Sequence, residues 1–289
     1  MFILGVGAHK AGTTWLWKQL GNAPGRVSLG RKELHYWDNL IRLESQTLRD
    51  EQELQAFMTD DSIEAIASLN HDKYFTPVKR AQRVRWGNRN EQRFTADITP
   101  AYAGLPRGVF AYIRRQLQLR EVDYRIIYFM RDPVARIVSA FNYLLQTRTL
   151  EKFVKSPLRD EGSAEKFIRY ATSTHCQLRT RYEITVANLS EVFPSDRLFF
   201  GFNESISDSS QIEGLSDFLN LPVALFNPAR AVLVGRDAGP YHLPSAEIRD
   251  ELRLLYRSTY EGIQEKFPEV SRLWSEGGRD TPGNTHGST

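Results

Sequence analysis

Apolar positions along this chain fall into short continuous runs alternating with longer stretches at helical spacing. Phe2–Val6 and Tyr124–Met130 are near-unbroken apolar runs, the pattern of strands buried on both faces. Arg93–Ile98 and Arg197–Phe202 also read as strands, and Val27-Ser28-Leu29 is strand-like. Between them, helical spacing covers Trp15–Leu20, the acidic stretch from about Leu40 to Asn70, Pro106–Leu119, and Ala164–Phe193 with a break near Thr172-Ser173-Thr174. Ile206–Leu221 continues as helix and loop, and Ser245–Phe267 reads as one long amphipathic helix capped by Ser245. The pattern predicts an α/β fold with a central, mainly parallel sheet flanked by helices. Residues 1–275 read as a single domain without repeats, and the tail 276–289 has no apolar anchor and reads as disordered.

Two strand ends carry the chemistry. The first run leads into Gly7-Ala8-His9-Lys10-Ala11-Gly12-Thr13-Thr14 and then the helix at Trp15. A strand, a glycine-punctuated turn and a helix start aim backbone N–H groups at one point, which suits a phosphate. The lettering differs from the Walker pattern: Thr13 stands where the lysine would follow the second glycine, and Lys10 lies inside the loop. The bland alternative is a plain turn with Lys10 in solvent. The second strand end is Arg131-Asp132-Pro133, a capping aspartate and first-turn proline opening a helix that carries Ser139. Arg131 therefore sits at the carboxyl end of a central strand, where open α/β sheets bind ligands. Alone, it could equally pair with a neighbouring acid, and Ser139 could be a packed helix serine.

Arg31-Lys32-Glu33-Leu34-His35-Tyr36-Trp37-Asp38 crowds charge, histidine and rings behind the short 27–29 segment. It either lines a site or is an amphipathic loop with Tyr36 and Trp37 packed inward. A basic run follows, Lys79, Arg80, Arg83, Arg85, Arg89 and Arg93 against Glu91; it is either a solvated helix face or a surface for an anionic acceptor or membrane.

With 289 residues and 41% hydrophobic content, a sizeable core is available. The net charge of +3 favours anionic ligands without marking a nucleic-acid binder. The single cysteine, Cys176, excludes an internal disulfide framework and suits a reducing compartment, and the first apolar run is too short for a signal core or a membrane span. A soluble, cytoplasmic protein is expected.

The two nucleotide-type motifs together resemble those of sulfotransferases that use 3′-phosphoadenosine-5′-phosphosulfate (PAPS), nearer the bacterial and carbohydrate-type members than the aryl ones. The resemblance runs from Gly5 to about Phe267 and implies a P-loop-type three-layer fold. It implies that Lys10, Ala11, Gly12, Thr13, Thr14 and Trp15 hold the 5′-phosphosulfate, and Arg131 and Ser139 the 3′-phosphate. Glu33 matches the family's catalytic base, with His35 as fallback. Thr99-Pro100-Ala101-Tyr102 is similar to a segment bordering the acceptor, and Gly235-Arg236-Asp237-Ala238-Gly239 to a late basic loop over the nucleotide, with Arg236 its one clear cation. Tyr36, Trp37, Asp97 and Tyr102 are the candidate acceptor contacts, and no metal is required.

Three departures stand out. Ile98 takes the place of a frequent lysine, Ala238 that of a second cation, and no cysteine pair brackets the late loop. The implied activity is sulfuryl transfer from PAPS to a hydroxyl or amine of a glycan, lipid or small molecule, leaving PAP. Two rival classes remain. A P-loop kinase or NTPase would use Asp97 as a magnesium ligand, and a non-catalytic nucleotide-binding module would keep the loop and Arg131 without needing Glu33.

Overall fold

The structure is a computed structural model, and it describes residues 1–83, 93–154, 162–227 and 244–276. Four strands form one sheet: β1 (Phe2–Gly7), β2 (Thr95–Ile98), β3 (Tyr124–Met130) and β4 (Leu198–Phe202). The spatial order is β2-β1-β3-β4, and every pairing is parallel. All six residues of β1 are buried, as an unbroken apolar run between two parallel neighbours requires. Helices flank the sheet, among them Thr13–Gly21, Arg107–Leu119, Pro133–Gln146 and Tyr182–Val192.

The strand order fixes where a ligand can sit. From β1 the chain crosses to β2 on one side and then to β3 on the other, so the segments leaving β1 and β3 diverge although the strands are neighbours. That divergence opens a crevice beyond their carboxyl ends. Lys10 follows β1 and Arg131 follows β3, so both predicted cations leave the sheet at this crevice.

β3 begins and ends where the apolar run does, and the helix after it starts at Pro133 with the Asp132 carboxylate accepting from the Ala135 N–H at 2.7 Å. Two expectations need correction. Val27–Leu29 forms no strand, and this part of the chain contributes an isolated bridge between Arg26 and Phe94. The long C-terminal helix is two helices, Ala246–Leu255 and Arg257–Lys266. The break falls at Tyr256, a fully buried residue whose hydroxyl donates to the Ala171 carbonyl at 2.6 Å. Anchoring that ring inward overrides the continuous helical pattern.

Beside the sheet, Trp37 is fully buried and packs with Tyr36, His71, Tyr74, Phe75 and Tyr112. Of the two readings of this segment, inward packing therefore holds for Trp37. Cys176 is likewise buried, against the fully buried Arg136 guanidinium at 2.9 Å. No described helix is long and apolar enough to cross a membrane. In the basic run, Arg85 and Arg89 lie outside the described residues, as do Arg236 with its loop and residues 277–289.

Candidate active site

The loop after β1 is shaped by its glycines. Gly12 has φ 97°, and a side chain there would meet Ile206 Cδ1 at 2.7 Å and Asn203 Nδ2 at 3.2 Å. The backbone conformation therefore demands glycine, whereas the two side-chain tips could move aside. Having no side chain, Gly12 cannot cap the helix Thr13–Gly21 that it precedes, so the first amides of that helix stay open to an anion. Lys10 itself adopts a left-handed conformation, φ 67°, which is uncommon for a residue with a side chain and is found at ligand-gripping loops.

These residues line a cavity of about 390 Å³ together with Lys32, Glu33, Arg131, Ser139, Tyr143 and Asn203. The Lys10 ammonium lies 4.7 Å over the Tyr143 ring, and Arg131 donates to the Lys10 carbonyl at 3.5 Å, at the long limit of a hydrogen bond. Burial lowers the Lys10 pKa, and the Arg131 and Lys32 charges lower it further. Three cations thus share a wall with one carboxylate, Glu33, among the described lining residues. Such a field attracts a polyanion. Asp132, the acid adjacent to Arg131, is occupied elsewhere: it caps its helix and accepts from the Tyr260 hydroxyl at 2.9 Å.

The sequence assigns Lys32 no role of its own, and the structure places it at the cavity wall. Its ammonium donates to Thr13 Oγ1 (3.4 Å), Thr14 Oγ1 (3.2 Å) and Glu33 Oε1 (2.8 Å). The only sequence signal was its place in the Arg31-Lys32-Glu33 run. His35 then joins two acids, with Nδ1 2.7 Å from Asp38 Oδ2 and Nε2 3.2 Å from Glu33 Oε2. Burial by itself would raise the Glu33 pKa, but hydrogen bonds from His35 and Lys32 and their charges outweigh it and bring the group down to about 2. Hydrogen bonds to Asp38 and Glu33 raise His35 to about 10, so it is an imidazolium at neutral pH.

No protein-family model matches the sequence, and no curated protein matches it. Among solved structures it is similar to a sulfotransferase from Alicyclobacillus acidocaldarius, with TM-score 0.57 and 17% identity over 94% of this chain and 97% of that one. This chain has the sulfotransferase fold. Similar too are the sulfotransferase domain of the Synechococcus PCC 7002 olefin synthase (TM-score 0.44, 20% identity, 89% and 93% covered) and a mouse sulfotransferase complexed with PAP (0.43, 12%, 96% and 87%).

Within this sulfotransferase fold, Lys10, Gly12, Thr13, Thr14, Trp15, Arg131 and Ser139 meet at one cavity, whereas Ala11 is buried behind the loop. None of the four candidate acceptor contacts, Tyr36, Trp37, Asp97 and Tyr102, lines it. Trp37, Asp97 and Tyr102 have no solvent exposure. Asp97 accepts from Thr99 Oγ1 (2.6 Å), Tyr74 (2.8 Å) and Tyr102 (2.9 Å) hydroxyls and from the Leu34 N–H (3.3 Å). Burial raises its pKa, and these donors only partly offset that. With both oxygens engaged and sealed, Asp97 cannot serve as a magnesium ligand or touch an acceptor. It positions the site instead: Leu34 N–H also bonds Thr99 Oγ1 (3.0 Å) and Tyr36 N–H bonds the Tyr102 hydroxyl (3.0 Å), which clamps the backbone on either side of His35. Tyr36 turns its hydroxyl to His71 Nδ1 at 2.8 Å.

Proposed function

We propose that this chain is a PAPS-dependent sulfotransferase acting on a hydroxyl or amine acceptor. The observation that carries the reading is the meeting of Lys10, Lys32 and Arg131 at one crevice beside Glu33. A 3′,5′-bisphosphorylated adenosine supplies anions at both ends, and the cations following β1 and β3 supply matching grips. The residues fit the donor. Open helix amides, the Thr13 and Thr14 hydroxyls and Lys10 answer the 5′ end, and Arg131 with Ser139 answers the 3′ end.

Glu33 would take the proton from the acceptor as the acceptor oxygen bonds to sulfur. The sulfur–oxygen bond to the 5′-phosphate breaks, its electron pair stays on the phosphate, and Lys10 neutralises that charge. At about 2, Glu33 is a weak base while His35 and Lys32 hold it. A phosphosulfate beside Thr13 and Thr14 competes for the Lys32 ammonium, and each contact it takes from Glu33 raises the basicity of that carboxylate. His35, itself charged, is then held by Asp38 as the positioning partner of Glu33 rather than as the base.

The buried position of Asp97 disfavours the kinase reading. The Glu33-His35-Asp38 chain at the cavity favours an enzyme over a passive nucleotide module. We place the reaction in the cytoplasm, where a lone thiol such as Cys176 stays reduced. PAP without added metal should stabilise the protein by about 2.7 kcal/mol at a hundredfold excess over Kd. Stabilisation by ATP with magnesium and not by PAP would refute the proposal.

A further inference from the structure

Tyr143 stands where two cavities meet. A second cavity, of about 260 Å³, lies against the first and shares His9, Glu33, Pro100 and Tyr143 with it. Two consecutive loop residues use the Tyr143 ring: the Lys10 ammonium lies over it, and the His9 ring makes a T-shaped contact with it, centroids 6.2 Å apart. We propose that Tyr143 is a positioning residue for Lys10, its ring holding the ammonium in the cavity by a cation–π contact so that the charge meets the 5′-phosphate of the donor unneutralised. This role rests on the sulfotransferase reading and deepens it, because it accounts for how the leaving-group cation is kept in place.

The partners of the three cations differ. Lys32 donates to Thr13, Thr14 and Glu33, and Arg131 reaches the Lys10 carbonyl. The Lys10 ammonium has no carboxylate, carbonyl or hydroxyl within hydrogen-bond reach among the described residues, and the ring at 4.7 Å is the group set against it. A carboxylate in that place would cancel the charge and occupy its donors. A ring attracts through its quadrupole and leaves N–H groups for a phosphate.

Lys10 also needs holding. Burial works against its charged form, and the Arg131 and Lys32 charges add to that. A flexible four-carbon stem under such repulsion turns its ammonium out to water unless something inside attracts it. The register of the next helix supplies the attraction. Tyr143 follows Ser139 by four residues on the helix Pro133–Gln146, so the two share a face about 6 Å apart along its axis. One continuous segment thus carries Arg131 and Ser139, proposed for the 3′ end of the donor, and the ring that sets the cation proposed for the 5′ end.

Two measurements on the full chain test this role. Tyr143 is 44% exposed, so Tyr143→Leu and Tyr143→Phe should both fold. With carbon-13 at the lysine ε position, the Lys10 proton signal is identified by its loss in Lys10→Ala. Protons over a ring face are shielded, so this signal should lie upfield of its position in Tyr143→Leu, and Tyr143→Phe should keep it there. Isothermal titration with PAP is the second readout. Tyr143→Leu should weaken PAP roughly tenfold in the parent and less than about twofold in Lys10→Ala, while Tyr143→Phe should stay within about twofold of the parent. A Lys10 signal unmoved by Tyr143→Leu, an unchanged PAP affinity, or an equal loss in both backgrounds would overturn the role, the last because the ring would then touch the nucleotide itself. A shifted Lys10 signal in a protein that binds no PAP would instead strike the donor reading and leave the ring contact standing.

Discussion

Two carboxylate networks lie side by side at the carboxyl edge of the sheet, and they are built from opposite materials. Glu33 is met by a lysine and an imidazolium, and its pKa falls to about 2. Asp97, at the end of β2, is met by three hydroxyls and a backbone N–H, and burial pushes its pKa up. The first faces a cavity and the second is sealed. A carboxylate met by cations at a cavity can change partners when an anion arrives, whereas one met by sealed neutral donors holds the backbone still. A cavity-facing acid held by cations and a sealed acid held by neutral donors thus stand side by side, although a bare sequence presents them as equals.

Substitutions can break that division. The largest effect should come from Lys10→Ala, which removes the cation proposed to face the leaving phosphate; kcat/KM for sulfuryl transfer should fall roughly 10²–10³-fold while the melting temperature stays near that of the parent. Glu33→Gln should lower kcat by roughly 10²-fold or more with PAP affinity barely changed, and equal turnover would remove Glu33 from the role of base. Asp97→Asn should behave in the opposite way. Each carboxylate oxygen accepts from two donors, so the amide nitrogen deprives two of them, and urea unfolding should show a loss of about 1–3 kcal/mol, with turnover reduced less than in Glu33→Gln. A stable Asp97→Asn protein as inactive as Glu33→Gln would collapse the division.

The smallest effect is in pH. His35, facing Asp38, Glu33 and, beyond Glu33, Lys32, has a raised pKa, so its stabilising contribution is complete below the ordinary value of about 6.5 and is lost as pH rises through about 10. Glu33 has the opposite sign: its contribution is present above about 4.5 and is lost as pH falls through about 2. The melting temperature of the parent should therefore exceed that of His35→Gln at pH 6, and the gap should narrow towards pH 10. A constant gap would mean that the imidazole keeps its ordinary pKa.

The parts legible in the sequence are those written in consecutive residues. The loop from Gly7 to Thr14, the whole of β3, and the Asp132-Pro133 helix start each state their conformation locally, through glycine, an apolar run, a cap and a proline. Partners brought together from far apart were not legible. Asp97 at a strand end looks like a ligand until Tyr74, 23 residues earlier, is seen to close over it. Trp37 looks like a cleft ring until the helix Asp72–Arg83 packs Tyr74 and Phe75 against it. Lys32 gains its meaning only from Thr13 and Thr14, which lie 19 and 18 residues earlier in the chain.

The order β2-β1-β3-β4 separates inheritance from choice in this molecule. The cavity lined by Lys10 and Arg131 follows from where two neighbouring strands part company, and most of its wall belongs to the segments directly downstream of them. The second cavity draws Thr147, Lys152, Phe153, His175 and Arg179 from elements that the sheet does not dictate. Rebuilding those outer helices would reshape the second cavity while the crevice between β1 and β3 stayed intact.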